Sequence, residues 1–186
     1  MSKGKLFVIS GASGVGISTV LSRVMNARND LRFSVSATTR APRPGEVDGV
    51  AYYFITEAQF EQMIREDAFL EYDRHARASY GTPSAQLEEK LLDSNVILDI
   101  EPNGAFNVRR LPSDATLIFI MPPSITELEQ RLRSRGDTSS AQNAMRLARA
   151  RWEMEQGSDY DYVVVNDDVS RCAKEILNII AEKADE

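Results

Sequence analysis

The sequence predicts an α/β fold with a doubly wound parallel sheet, and three observations carry that expectation. Four short runs of continuous apolar, largely β-branched residues recur along the chain, "LFVIS", "VILDI", "TLIFIM" and "YVVVN". Unbroken apolar character suits strands buried on both faces. Stretches with helical spacing lie between them, and a glycine-rich turn follows the first run at once. Strands that alternate with helices build right-handed βαβ units.

Taken in chain order, residues 6–10 give the first strand and "GASGVGIST" (11–19) the turn. A helix follows over 18–27, with Val20, Leu21, Val24 and Met25 on one face. From Ser34 to about Asn95 the rhythm changes to polar–apolar alternation ("FSVSAT", "VAYYFIT") with turn signals at "RPGEVDG". This stretch reads as a small, mostly antiparallel β insertion with helices near 57–66 and 84–92. Strands return at 96–100 and 116–121, and a helix over 124–134 aligns Ile125, Leu128 and Leu132. Residues 134–157 are rich in Arg and Ser with few core positions, and read as a mobile helical flap. A strand at 162–166 and a helix over 171–181, with Ala173, Ile176, Leu177 and Ile180 together, complete the pattern.

Composition narrows the function. The chain has 186 residues, 42% hydrophobic and 27% charged, enough for one α/β domain with an insertion. A net charge of −6 argues against binding to nucleic-acid polymers or anionic membranes, because no basic excess exists to neutralise rows of phosphates. A single cysteine, Cys172, forms no internal disulfide, as expected in a reducing cytosol. "LFVIS" is too short for a signal segment or membrane span, so a cytoplasmic, soluble chain is expected. Cys172 and Trp152 are expected to pack in the core from helices, and the lone His75 to be solvated.

Two constellations carry chemistry. The phosphate-binding loop pattern is G-x-x-x-x-G-K-[ST], and Gly11, Gly16 and Ser18 meet it, with Gly14 adding a further glycine inside. Such glycines let successive N–H groups converge on a phosphate at a helix N-terminus. The whole stretch Gly11, Ala12, Ser13, Gly14, Val15, Gly16, Ile17, Ser18 and Thr19 is therefore the candidate ATP site. Where the pattern has lysine, this chain has Ile17. The second constellation is "SVSATTRAPRPGEVDGVAYYF" (34–54). Arg40 and Arg43 flank Pro42, and Ser36, Tyr52 and the later Tyr80 add hydroxyl donors, a set suited to a dianionic phosphate monoester.

These stretches, with "FLEYD", "SYGTP", "LDIEPNG", "RLRSRG" and "YDYVVVNDD", resemble guanylate kinase over nearly the whole chain. The resemblance implies transfer of the γ-phosphoryl group of ATP to GMP with Mg2+. It implies a P-loop core (1–33, 96–126 and 158–186), an inserted α+β GMP-binding domain (34–95) and a helical lid (127–157). By the same likeness Ser36, Arg40, Arg43, Tyr52 and Tyr80 hold the GMP phosphate, while Glu71 accepts from guanine N1–H and the 2-amino group. Thr82 stands near the base, Glu46 belongs to the same pocket, and Glu101 meets GMP. Asp99 and Ser18 serve magnesium, Asn166 meets adenine, and Arg40 with the lid residues Arg131, Arg135 and Arg146 offsets charge on the transferring phosphoryl.

Two departures qualify the likeness. Ile17 donates nothing where a lysine would follow the phosphoryl in flight, a loss of roughly 1.5–3 kcal/mol of charge-assisted bonding. The chemical step is then expected to slow by ~10²–10⁴-fold. At "RHARASYG", Arg77, Ala78 and Ser79 replace the usual Gly, Asn and Tyr. Three readings stay open: a guanylate kinase with altered ATP handling, a GMP-binding relative without turnover, or a guanylate-kinase-like protein-interaction domain. GMP and ATP are the expected partners, in a monomer or homodimer.

Overall fold

The structure is a computed structural model that describes residues 4–75, 77–134 and 140–184. Its main sheet contains β1 (Leu6–Gly11), β2 (Leu31–Phe33), β7 (Asn95–Asp99), β8 (Thr116–Met121) and β9 (Tyr162–Val165). All neighbours are parallel, in the order β2-β7-β1-β8-β9. The apolar runs occupy this sheet because helices cover both faces. On one side α1 (Ile17–Ala27) and α7 (Val169–Ala184) bury Val20, Leu21, Val24, Cys172, Ile176 and Ile180 against Phe7, Ile9 and Ile118. On the other, α3 (Ser84–Leu91) and α4 (Pro102–Arg109) bury Leu87, Leu91, Ala105 and Val108 against Val8, Leu98 and Leu117.

Two elements of this layer had no clear signal. Strand β2 is three residues long, too short to show a period, and β7 recruits it at the sheet edge. Helix α4 contains Asn103, Gly104 and Asn107, which are weak helix formers, yet Pro102 at its start and burial of Ala105 and Val108 hold it.

The insertion forms a second sheet in the order β4-β3-β6-β5. It comprises β3 (Ala37–Thr38), β4 (Tyr53–Phe54), β5 (Phe69–His75) and β6 (Ala78–Pro83). The β3–β6 and β5–β6 pairs are antiparallel and β3–β4 is parallel. The alternating stretches 33–38 and 50–56 thus supply only two strand residues each here, Phe33 belonging to β2 of the main sheet. Helix α2 (Glu57–Arg65) starts at a Thr56–Gln59 capping box and inserts Phe60 against Phe69 and Ala37. At the β5–β6 turn Arg77 takes φ 65°, a left-handed conformation that glycine adopts without cost.

Helix α5 (Ile125–Ser134) buries Leu128 and Leu132, as its spacing predicts, and α6 (Ser140–Glu155) occupies the segment read as a flap. Ala150 and Glu153 of α6 are buried, so that segment is tied to the core at these two positions. Trp152 is a correction, because it is half-buried beneath the Arg149 guanidinium, 4.5 Å from its ring centre, rather than in the core. Among the described residues no helix is long and apolar enough to cross a membrane.

Candidate functional site

The order of the main sheet places β1 between two later strands, and the C-terminal ends of β1 and β7 open into a crevice facing the second sheet. Ligands of open α/β sheets bind at such a point. The cavity there has a volume of about 320 Å³. Its wall includes Gly11, Ser13 and Ile17 from the loop, and Ser36, Arg43, Tyr52 and Tyr80 from the insertion. Glu71, Asp99, Glu101 and Arg146 complete the polar part of the wall.

The loop is built for an anion. Gly14 and Gly16 have φ of 91° and 97°, so the chain turns sharply from β1 into α1. Ala12 and Val15 point into the core and anchor the turn, with Val15 N–H donating to Ala12 O at 2.9 Å. The N–H groups of Gly16, Ile17 and Ser18 make no hydrogen bond among the described residues, the usual state of a helix's first turn before an anion arrives. Ile17 lines the cavity and also packs against the main core, so its side chain is partly withdrawn. Ser18 and Thr19 are exposed on the first turn of α1.

On the insertion side the central group is Glu71. It is 6% exposed, and its Oε1 accepts from Thr82 Oγ1 at 2.6 Å. Burial pushes its carboxyl up to about 7, opposed by the Thr82 hydroxyl and assisted by nearby Asp73. Thr82 is therefore not a wall residue but the one that orients Glu71. Asp99, half-buried at the end of β7, is likewise pushed up to about 7 by burial and by Glu101. Tyr52 and Tyr80 meet edge to face with centres 6.0 Å apart, their hydroxyl-bearing rings bordering the cavity with Ser36 and Arg43.

Several expected residues stand elsewhere. Arg40 is clasped by Glu46 through paired 2.8 Å bonds, stacks over Tyr52 at 5.2 Å, and is not part of the cavity wall. Glu46 is held by arginines in this structure: its oxygens accept from Arg40 at 2.8 Å and from Arg43 N–H at 2.7 Å, and it is not part of the cavity wall. Its carboxyl is lowered to about 2 by the Arg40 hydrogen bonds. Asn166 is buried, with Nδ2 donating to Val15 O at 2.8 Å and Oδ1 lacking a partner among the described residues. Arg131 donates to Val15 O at 3.3 Å and Asn166 O at 3.1 Å, which ties α5 to the loop. Arg135 lies outside the described residues.

His75 is the clearest departure from expectation. It stacks on Tyr80 at 4.4 Å with an interplanar angle of 10° and lines the cavity, instead of standing in solvent. Strand pairing puts it there: His75 sits opposite Ala78 at the end of the β5–β6 hairpin, close beside Tyr80.

The guanylate kinase family model matches residues 3–183. This chain belongs to the guanylate kinase family. It is 47% identical over 179 residues to a guanylate kinase of Thermus thermophilus, an alignment covering 96% of this chain and 81% of that one. A Synechocystis guanylate kinase is 41% identical over 182 residues, covering 97% and 95%. The crystal structure of a guanylate kinase from Anaplasma phagocytophilum superposes with a TM-score of 0.82 at 31% identity, covering all of this chain and 88% of that one.

Sequence reasoning missed three participants in this guanylate kinase site. Gly104 lies so close beneath Glu71 that a Cβ there would be 2.6 Å from Oε2. Glu153, 2% exposed on α6, accepts the loop's Ser13 N–H at 2.7 Å. Arg149, one turn earlier, joins Glu153 at 2.8 Å to Glu101 at 2.5 Å. Gly104 ends the quoted stretch "LDIEPNG", but no motif assigned a role to any of the three, because their roles arise from contacts between elements far apart in sequence.

Proposed function

We propose that this nucleoside monophosphate kinase transfers the γ-phosphoryl group of ATP to GMP through the cavity between the loop and the second sheet. The observation that carries the base preference is buried Glu71, an acceptor pair held by Thr82 inside the wall. Guanine presents N1–H and a 2-amino group to such a carboxylate, whereas adenine presents no such pair and leaves it unsatisfied. Ser36, Arg43, Tyr52 and Tyr80 are the phosphate side of the same wall, with Arg40 completing it after exchange of its Glu46 partner. Glu101 meets the remaining part of the nucleoside.

ATP takes the loop, its β-phosphate on the N–H groups of Gly16, Ile17 and Ser18 and its adenine near Asn166, whose unpartnered Oδ1 is an acceptor for the amino group. Asp99 and Ser18 fit magnesium, since hard oxygen donors suit it and a divalent cation would relieve the carboxyl that burial and Glu101 oppose. The metal supplies charge neutralisation between the phosphates. In this reading residues 1–33, 96–126 and 158–186 form the core, 34–95 hold GMP and 127–157 close as a lid, in a cytoplasmic enzyme.

Ile17 leaves the loop itself without a cation, so turnover is lower than a loop lysine would give. A coupled assay of ADP release tests the reading with GMP and with AMP, in ATP and magnesium. Release with GMP at least ~10²-fold faster than with AMP is expected; equal rates with the two acceptors overturn the Glu71 argument.

A further inference from the structure

We propose that Arg149 supplies the positive charge that the phosphate loop lacks at position 17. The inference rests on the phosphoryl-transfer reading above. Arg149 lies three residues after Arg146 on α6, and residues at that spacing share a helix face. Arg146 lines the cavity. The Arg149 guanidinium lies over the Trp152 ring and is fixed at two corners, Nε on Glu153 Oε1 at 2.8 Å and Nη2 on Glu101 Oε2 at 2.5 Å.

Those two carboxylates decide its place. Glu153 is buried, and its second oxygen holds the Ser13 N–H inside the loop at 2.7 Å. Glu101 belongs to the cavity wall, two residues after Asp99. The guanidinium is therefore one carboxylate away from the loop on one side and one carboxylate away from the acceptor pocket on the other. Its Nη1 makes no hydrogen bond among the described residues. When the acceptor nucleotide engages Glu101, Nη2 is released as well, toward the place where donor and acceptor phosphates meet.

The other described arginines near the loop are committed differently. Arg131 donates to the carbonyl oxygens of Val15 and Asn166 and to Glu127. Arg40 is clasped by Glu46, and Arg146 is exposed to solvent. Arg149 alone of these is braced against the loop by a buried carboxylate. In the transfer a bond forms between an acceptor phosphate oxygen and the γ-phosphorus while the bond from that phosphorus to the ADP oxygen breaks. Arg149 gives hydrogen bonds to the moving equatorial oxygens and neither gains nor loses a proton.

The test is a double-mutant cycle on the full chain, reading kcat and KM for GMP and ATP in the native protein, Arg149→Gln, Ile17→Lys and the double variant. Arg149→Gln should lower kcat by ~10²-fold or more in the native background, with either KM changed less than ~3-fold. In the Ile17→Lys background the same substitution should cost less than ~10-fold, because the loop then carries its own cation. Calorimetric GMP affinity equal to native shows that the fold is intact. If Arg149→Gln fails to bind GMP, Arg149→Lys, which keeps the charge, is expected to retain kcat within ~10-fold; a loss as large as that of Arg149→Gln overturns the proposal. Equal losses in both backgrounds also overturn it, since they mark a bracing role independent of position 17. A native chain that is inactive while Ile17→Lys turns over refutes Arg149 alone. Inactivity of both refutes the functional reading beneath it.

Discussion

Replacing Glu71 with Gln removes one charge from the wall while preserving shape, and its consequences for stability and binding have opposite signs. In the unfolded chain this carboxyl titrates near its ordinary 4.5, whereas in the fold burial raises it to about 7. A raised acid is favoured in its protonated form, so the folded state loses stability as pH climbs from about 4.5 to about 7 and is level above that. A difference of about 2.5 units corresponds to about 3 kcal/mol at pH 8. Glu71→Gln should therefore be more stable than the native chain by up to about 3 kcal/mol at pH 8, less whatever the amide loses in its contact with Thr82. The gap should narrow by most of that amount by pH 5. GMP binding behaves inversely, because guanine needs the ionised acceptor. Native affinity should fall about tenfold between pH 8 and pH 6 beyond any change seen in the variant. The variant should bind GMP about 1–3 kcal/mol more weakly at pH 8. Urea unfolding across pH 5–8 and calorimetry with GMP and AMP measure both. A stability gap that does not vary with pH, or unchanged GMP affinity, would refute the placement of Glu71 as the buried base reader.

Ile17→Lys should raise kcat by ~10²-fold while nucleotide Kd changes less than ~10-fold, the pattern of an interaction made mainly in the transition state; an unchanged kcat would mean that Arg149 already offsets the missing charge in full. Gly104→Ala puts a Cβ 2.6 Å from Glu71 Oε2 and 3.2 Å from Ile100 Cδ1. The carboxylate must then leave its Thr82 bond, and calorimetry should show GMP affinity reduced ~10-fold or more with the loop still able to bind ADP. Arg77→Gly relieves a left-handed residue at the hairpin turn and should stabilise the protein by about 1 kcal/mol in denaturant titration, with GMP affinity unchanged. Destabilisation instead would mean that the arginine side chain contributes more than its backbone costs.

The sequence by itself determined the parts of this protein whose signals are local. "LFVISGASGVGIST" states strand, glycine turn and helix within one span, because continuous apolar residues demand two-sided burial and the glycines demand positive φ. The family likeness of 34–54 and of "SYGTP" brought Ser36, Arg43 and Tyr52, with Tyr80 from β6, to one wall on the same footing. Strand β2 and helix α4 were not legible, as each is held by the sheet it packs on rather than by its own period or propensity. His75 read as solvated because its own loop says nothing of Tyr80, which reaches it only through hairpin pairing. The Glu46–Arg40 clasp was not legible either, because the sequence puts Glu46 near the pocket without saying which side chain holds it. The chain Ser13–Glu153–Arg149–Glu101 spans 140 residues between its loop and lid members. Only folding puts them within hydrogen-bond reach, and the pairing of charges across that distance depends on where α6 comes to rest, which no local pattern encodes.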